Sequence, residues 1–91
     1  MSERVRRRVV IHGRVQGVFF RDTMRREASP RGVAGWVANR PDGTVEAVLE
    51  GAPDAVRELV SFCRRGPRAA HVERVEEHEE PPERLSGFEV R

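Results

Sequence analysis

Apolar and polar positions along the chain change period several times, and each change marks an element. Val5 to His12 contains the β-branched run Val9-Val10-Ile11, short and bounded, which predicts a strand. The pattern then breaks at Gly13-Arg14-Val15-Gln16-Gly17-Val18, where two glycines four apart predict a loop. From Arg21 to about Ser29 good helix formers dominate, and Phe20, Met24 and Ala28 recur every four residues as one narrow apolar stripe. Asp22 in the first turn suits the positive end of the helix dipole, and Pro30 and Gly32 end the helix. Gly35-Trp36-Val37-Ala38-Asn39 predicts a second strand. Pro41-Asp42-Gly43 follows as a tight turn, because proline sets φ and Asp-Gly tolerates positive φ.

Thr44 to Glu50 alternates strictly. Val45, Ala47 and Leu49 share one face while Glu46, Val48 and Glu50 share the other, the mark of a half-buried strand completing a hairpin. Gly51-Ala52-Pro53-Asp54 opens a second helix. In it Val56, Leu59, Val60 and Cys63 fall at helical spacing while Arg57, Glu58, Ser61, Arg64 and Arg65 face out, and Gly66-Pro67 stops it. Val72 to His78 predicts a strand whose Val72 and Val75, three apart, imply a bulge or a twist. Pro81-Pro82 breaks the chain, and Phe88-Glu89-Val90 alternates like a short final strand at an edge.

The order β-α-β-β-α-β, with a short C-terminal strand added, predicts an α+β fold of the ferredoxin-like kind. It is a two-layer sandwich in which an antiparallel sheet is covered on one face by two helices. Residues 1–91 make one domain, near the lower end of what folds on a hydrophobic core alone. With 37% apolar and 35% charged residues, the interior is small and the surface heavily charged. No run approaches the roughly 20 apolar residues of a membrane span, and Met1-Ser2-Glu3-Arg4 opens no secretory signal. A single cysteine, Cys63, excludes an internal disulfide and any cysteine-based metal cluster. The expected location is the cytoplasm.

All 17 basic side chains are arginine, so no lysine is present to act as an amine nucleophile. The net charge of +2 is too small to demand a polyanionic partner. The charge is uneven, however: arginines crowd the first third, Arg6-Arg7-Arg8 among them, and Glu73 to Glu83 crowd the end. A basic half suits a small anion or nucleic acid, or else these are solvated faces. The acidic run reads as a solvated strand end and turn.

The loop before the first helix carries the most chemistry. Its glycines let successive backbone N–H groups turn toward one point, and a helix N-terminus favours an anion there. Arg21 stands at the junction, where a planar guanidinium can grip two phosphoryl oxygens. Two glycines and an arginine are equally what a plain strand-to-helix turn contains. The residues alone leave both readings open.

Gly13-Arg14-Val15-Gln16-Gly17-Val18-Phe19-Phe20-Arg21 resembles the acylphosphatase signature G-x-V-Q-G-V-x-F-R. Gly35-Trp36-Val37-Ala38-Asn39 with Asp42-Gly43-Thr44-Val45-Glu46 is similar to the second signature of that family, and the likeness runs on to Gly87-Phe88-Glu89-Val90-Arg91. The main departure is Ser29-Pro30-Arg31, where relatives commonly carry a leucine-containing helix end. The resemblance implies an acylphosphatase, which hydrolyses the carboxyl–phosphate bond of a small acyl phosphate. It implies that Arg21 binds the phosphoryl group and Asn39 positions the attacking water. It further implies that Gln16, Gly17, Val18, Phe19 and Phe20 supply the amide cradle. The implied protein needs no cofactor and no metal, releases inorganic phosphate that also inhibits it, and works as a monomer without nucleic acid or membrane.

The chemistry of the residues agrees with that assignment. A carboxylate is a good leaving group, so one arginine, several amides and an oriented water suffice for positioning and charge neutralisation. His12, His71 and His78 are scattered in sequence and suggest no metal site. His12 is either solvated or packed on the far face of the sheet, Cys63 reads as core, and Phe19 or Phe20 reads as a wall of the site. An RNA-recognition module shares the element order but needs aromatics on its two central strands, and Val9-Val10-Ile11-His12 and Val45-Glu46-Ala47-Val48-Leu49 have none. A regulatory domain such as those inside multidomain carbamoyl-transfer proteins would carry the same loop.

Overall fold

The computed structural model describes residues 3–91, so the Met1-Ser2 part of the stretch read for a secretory signal lies outside the described residues. Strand β1 (Val5–Arg14) leads through a loop into helix α1 (Phe20–Ala28), and one 3-10 turn (Ser29–Arg31) follows. Then come β2 (Ala34–Asn39), β3 (Val45–Gly51), helix α2 (Pro53–Arg65), β4 (His71–Glu80) and β5 (Phe88–Val90). The strands lie in the order β4-β1-β3-β2-β5. Two split β-α-β units therefore interleave, each with a strand of the other between its own pair. Both helices pack on the same side, α2 over β1, β3 and β4 and α1 over β2 and β5.

The apolar periods drive this arrangement. Val9 and Ile11 from β1, Val45, Ala47 and Leu49 from β3, and Val37 from β2 are fully covered, and they meet Phe20, Met24 and Ala28 of α1. From α2 come Val56, Leu59, Val60 and Cys63, together with Phe62, which the stripe had not included. Phe62 joins because its ring meets Phe20 edge to face, centroids 5.8 Å apart, which ties the two helices together. A side chain of this size stabilises the fold by about 3–5 kcal/mol against truncation to alanine.

The sequence expectations need adjusting in four places. The α1 stripe ends at Ala28, and Pro30 tightens the chain into the 3-10 turn that Gly32 closes through its N–H to the Ser29 carbonyl. Strand β4 is longer than the apolar pattern suggests, because its polar end pairs with the arginines of β1. The bulge sits where Val72 and Val75 imply one: His12 pairs with Arg74 but Gly13 with Val72, leaving Glu73 as the extra residue. Gly13 permits this close pass. A Cβ there, at φ 127°, would lie 2.2 Å from the His71 carbonyl oxygen.

The third adjustment concerns β5, which joins β2 in parallel and makes the sheet mixed, while the other pairings are antiparallel. β4 ends at the same end of the sheet where β2 begins. A connector crossing the sheet therefore delivers Phe88 beside Gly35 already running in the direction of β2.

The fourth is the outer face of β3. Val48 and Glu50 are buried like their neighbours. The connector covers Glu50, whose carboxylate accepts the N–H groups of Glu83 (2.9 Å) and Leu85 (3.0 Å) and an Arg4 Nη2 (2.9 Å). Burial pushes the Glu50 carboxyl pKa up, but these donors outweigh it and hold the group down at about 2.

The charge imbalance of the sequence also resolves here. Arg6, Arg7 and Arg8 lie across from the β4 carboxylates, with Arg6 and Arg8 both on Glu80, Arg7 on Glu77 and Glu79, and Arg8 reaching Glu46 as well. The basic run is thus a ladder of half-buried, paired guanidiniums; Glu80 is half-buried with it, while Glu77 and Glu79 pair with Arg7 from exposed positions, as a solvated strand end does. His12 packs on the helix-free face against Glu76, whose carboxyl that contact holds below the usual range.

Candidate active site

The loop Val15–Phe19 joins β1 to α1, and two left-handed residues shape it: Gly17 at φ 73° and Phe19 at φ 64°. A Cβ on Gly17 would touch nothing within 4 Å, so the demand for glycine there is one of backbone sign alone. The loop is tied at its centre by Gln16, whose Nε2 donates to the carbonyls of Arg40 (2.7 Å) and Thr44 (2.9 Å). Those carbonyls belong to the β2–β3 turn. The turn is itself held by Asp42, whose carboxylate accepts the Thr44 hydroxyl (2.6 Å) and N–H (3.0 Å) and lies below its usual pKa for that reason. One side chain thus fixes the loop against the turn that follows Asn39.

Helix α1 starts at Phe20 with Phe19 as its N-cap and no capping side chain. The first helical bond there is Thr23 N–H to the Phe19 carbonyl (3.0 Å), so the amides of Phe20, Arg21 and Asp22 precede the first carbonyl that could take them. Uncapped first-turn amides at the positive end of a helix form an anion site. A cleft of about 290 Å³ opens there, lined by Val15, Gly17, Phe19, Phe20, Arg21, Asp22, Asn39 and Val90. The Arg21 guanidinium comes from the α1 side and donates one Nη1 bond to the main-chain oxygen of Arg91 (2.6 Å). Asn39 comes from the end of β2, exposed, with its carboxamide unbonded to any protein group among the described residues. A guanidinium and a free carboxamide from different elements, with orphan amides between them, suit a tetrahedral anion and a water.

A family model for acylphosphatase matches residues 7–90. The chain belongs to the acylphosphatase family. The acylphosphatase of Thiobacillus denitrificans is 59% identical over 81 residues, 89% of this chain and 90% of that protein. That of Thermococcus kodakarensis is 56% identical over 88 residues, 97% of each. Among solved structures, an acylphosphatase from Coxiella burnetii superposes with a TM-score of 0.92 at 38% identity, over 97% of this chain and 93% of that one.

Within this acylphosphatase fold, Arg21, Asn39, Gly17, Phe19 and Phe20 meet in one cleft. The side chains of the two other residues read as cradle turn elsewhere, Val18 into the core and the Gln16 carboxamide onto the hairpin, which leaves only their backbone N–H groups for the part read from the sequence. Asp22, Val90 and Arg91 were not singled out from the sequence. Asp22 lines the cleft as an ion-paired carboxylate, held below its usual pKa first by the Arg25 hydrogen bond and also by Arg26. Its first-turn position was visible, its cleft position was not. Val90 and Arg91 reach the site only because β5 returns beside β2, which no local pattern announces. The Arg91 guanidinium stacks on Trp36 at 4.6 Å, and the Arg91 backbone N–H donates to the Val37 carbonyl at 2.8 Å. Cys63 sits under α2, and burial pushes its thiol up to about 12, which disqualifies it as a nucleophile. Among the described residues no three His, Cys, Asp or Glu side chains converge as a metal site requires, and no helix is long and apolar enough to cross a membrane.

Proposed function

We propose that this cleft hydrolyses acyl phosphates to a carboxylate and inorganic phosphate. The phosphoryl group sits on the first-turn amides of α1, and the Arg21 guanidinium takes two of its oxygens. Asn39 holds a water by the carboxamide oxygen, uncharged beside a dianion, opposite the acyl oxygen. The water oxygen attacks phosphorus, the bond from phosphorus to the acyl oxygen breaks, and the electron pair leaves on the carboxylate. The water proton passes to a phosphoryl oxygen. No general acid is required, because a carboxylate is a weak base, and the catalytic work is positioning plus neutralisation of the equatorial oxygens.

The observation that carries this reading is the convergence of Arg21 and Asn39 on one helix N-terminus that lacks a capping side chain. Membership of the family supports the reaction class, and the cleft geometry supports the division of labour between the two residues. The product, inorganic phosphate, fits the same cradle and acts as a competitive inhibitor. Phosphate release from an acyl phosphate by Arg21→Ala, with folding checked by circular dichroism, tests the reading. The expected loss is about 10³-fold or more, with Arg21→Lys a poor substitute because an ammonium cannot match a planar two-point grip. Near-normal turnover by the alanine variant would overturn the assignment.

A further inference from the structure

Nearly every large apolar side chain in this small domain is covered. Among the described residues the exceptions are Phe19, 80% exposed, and Val90, 42% exposed. Both stand on the rim of the same cleft as Arg21 and Asn39. They arrive from separate parts of the chain, Phe19 from the loop before α1 and Val90 from β5, where it pairs with Val37. Local packing accounts for neither position.

Phe19 is also held where it is. Its backbone is left-handed, a conformation that bulky residues avoid, and its carbonyl accepts both the N–H (3.0 Å) and the hydroxyl (2.8 Å) of Thr23. With the carbonyl committed to the first turn of α1, the ring stands out over the cleft mouth. An inorganic anion has no use for such a rim, since amides and a guanidinium suffice to hold it. An apolar rim beside an anion cradle suits a substrate with an apolar group attached directly to its phosphoryl group.

We propose that Phe19 and Val90 form the acyl subsite of the cleft, and that this subsite favours aromatic and bulky apolar acyl groups over acetyl. The proposal rests on the assignment of the cleft as the place of hydrolysis. Stacking of an aryl acyl group on Phe19, flanked by Val90, gains little for a two-carbon acyl group and more for a ring. Both substrate types share the phosphoryl group, so any disturbance of the cradle itself affects them alike and divides out of their ratio.

The test compares kcat/KM for benzoyl phosphate and acetyl phosphate on the wild type, Phe19→Ala, Phe19→Tyr and Val90→Ala. The benzoyl-to-acetyl ratio is expected to fall about 5- to 10-fold in Phe19→Ala and about 2- to 3-fold in Val90→Ala, and to persist in Phe19→Tyr, which keeps the ring. A ratio unchanged in both alanine variants overturns the acyl subsite, whether or not the individual rates fall. Full turnover of both substrates by Arg21→Ala is a different result: it removes the site assignment and not the ring contact.

Discussion

Asn39 shows what a single side chain contributes when its own hydrogen bonds are left free. The carboxamide is uncharged, faces the cleft and has no protein partner among the described residues, so truncating it removes a positioned group without opening the cradle. Asn39→Ala is expected to lower kcat by roughly 10²-fold or more while the inhibition constant of inorganic phosphate moves far less. Asn39→Asp brings a carboxylate toward the phosphoryl oxygens and should worsen both quantities. Equal damage to turnover and to phosphate binding by the alanine variant would make Asn39 a binding group instead. At this scale Arg21 and Asn39 were legible, because each falls inside a long motif whose residue types suit phosphoryl chemistry. Val90 and Arg91 were not, since their place in the site depends on the remote pairing of β5 with β2, and Asp22 was read only as a helix-dipole residue.

Among the elements, the tie between loop and hairpin deserves its own measurement. Gln16 links the cradle to the turn behind Asn39 through two hydrogen bonds to backbone carbonyls, and among the described residues no other hydrogen bond joins these two pieces. Removing it in Gln16→Ala costs about 1 kcal/mol of stability for the two lost hydrogen bonds, because the Arg40 and Thr44 carbonyls keep the N–H groups of Gly43 and Arg40. It also lets the cradle and the water-holding group drift relative to each other, so kcat/KM should drop about 10-fold, with both phosphate affinity and kcat affected. Unaltered kinetics in a merely less stable protein would reduce Gln16 to a structural brace. The helices, the hairpin and the β4 bulge were readable because their signals are local: a four-residue stripe, a Pro-Asp-Gly turn, a three-residue spacing. The direction of β5 and the burial of Glu50 were not, because both follow from where residues 81–87 cross the sheet.

For the molecule as a whole, that crossing makes Glu50 the largest single contributor to acid sensitivity, ahead of Asp42 and Glu80, whose carboxyls are also held below their usual range. Glu50 has a folded pKa of about 2 against an ordinary value of 4.5. Its contribution is therefore complete above pH 4.5 and drains away as the pH falls toward 2, about 3 kcal/mol in total. The exposed carboxylates with lowered pKa, such as Asp22 and Glu76, add little because solvent screens them. Urea unfolding of the wild type should weaken steeply across that acid range, whereas Glu50→Gln should be less stable at neutral pH and much flatter below pH 5. A wild-type curve as flat as that of the variant would contradict the role of Glu50.

The same crossing segment ends in β5, three residues long, whose neighbour Arg91 gives Arg21 its oxygen partner and whose Val90 edges the cleft. Short edge strands are where native proteins fray first, at a free energy well below that of global unfolding. Gentle warming should then silence the enzyme while its helices are still intact, so the temperature of half-inactivation falls below the circular-dichroism midpoint, and amide exchange at Arg91 and Gly35 outruns that at Val9. This acylphosphatase would carry its own thermal fuse, one that resets on cooling because the rest of the sheet never came apart.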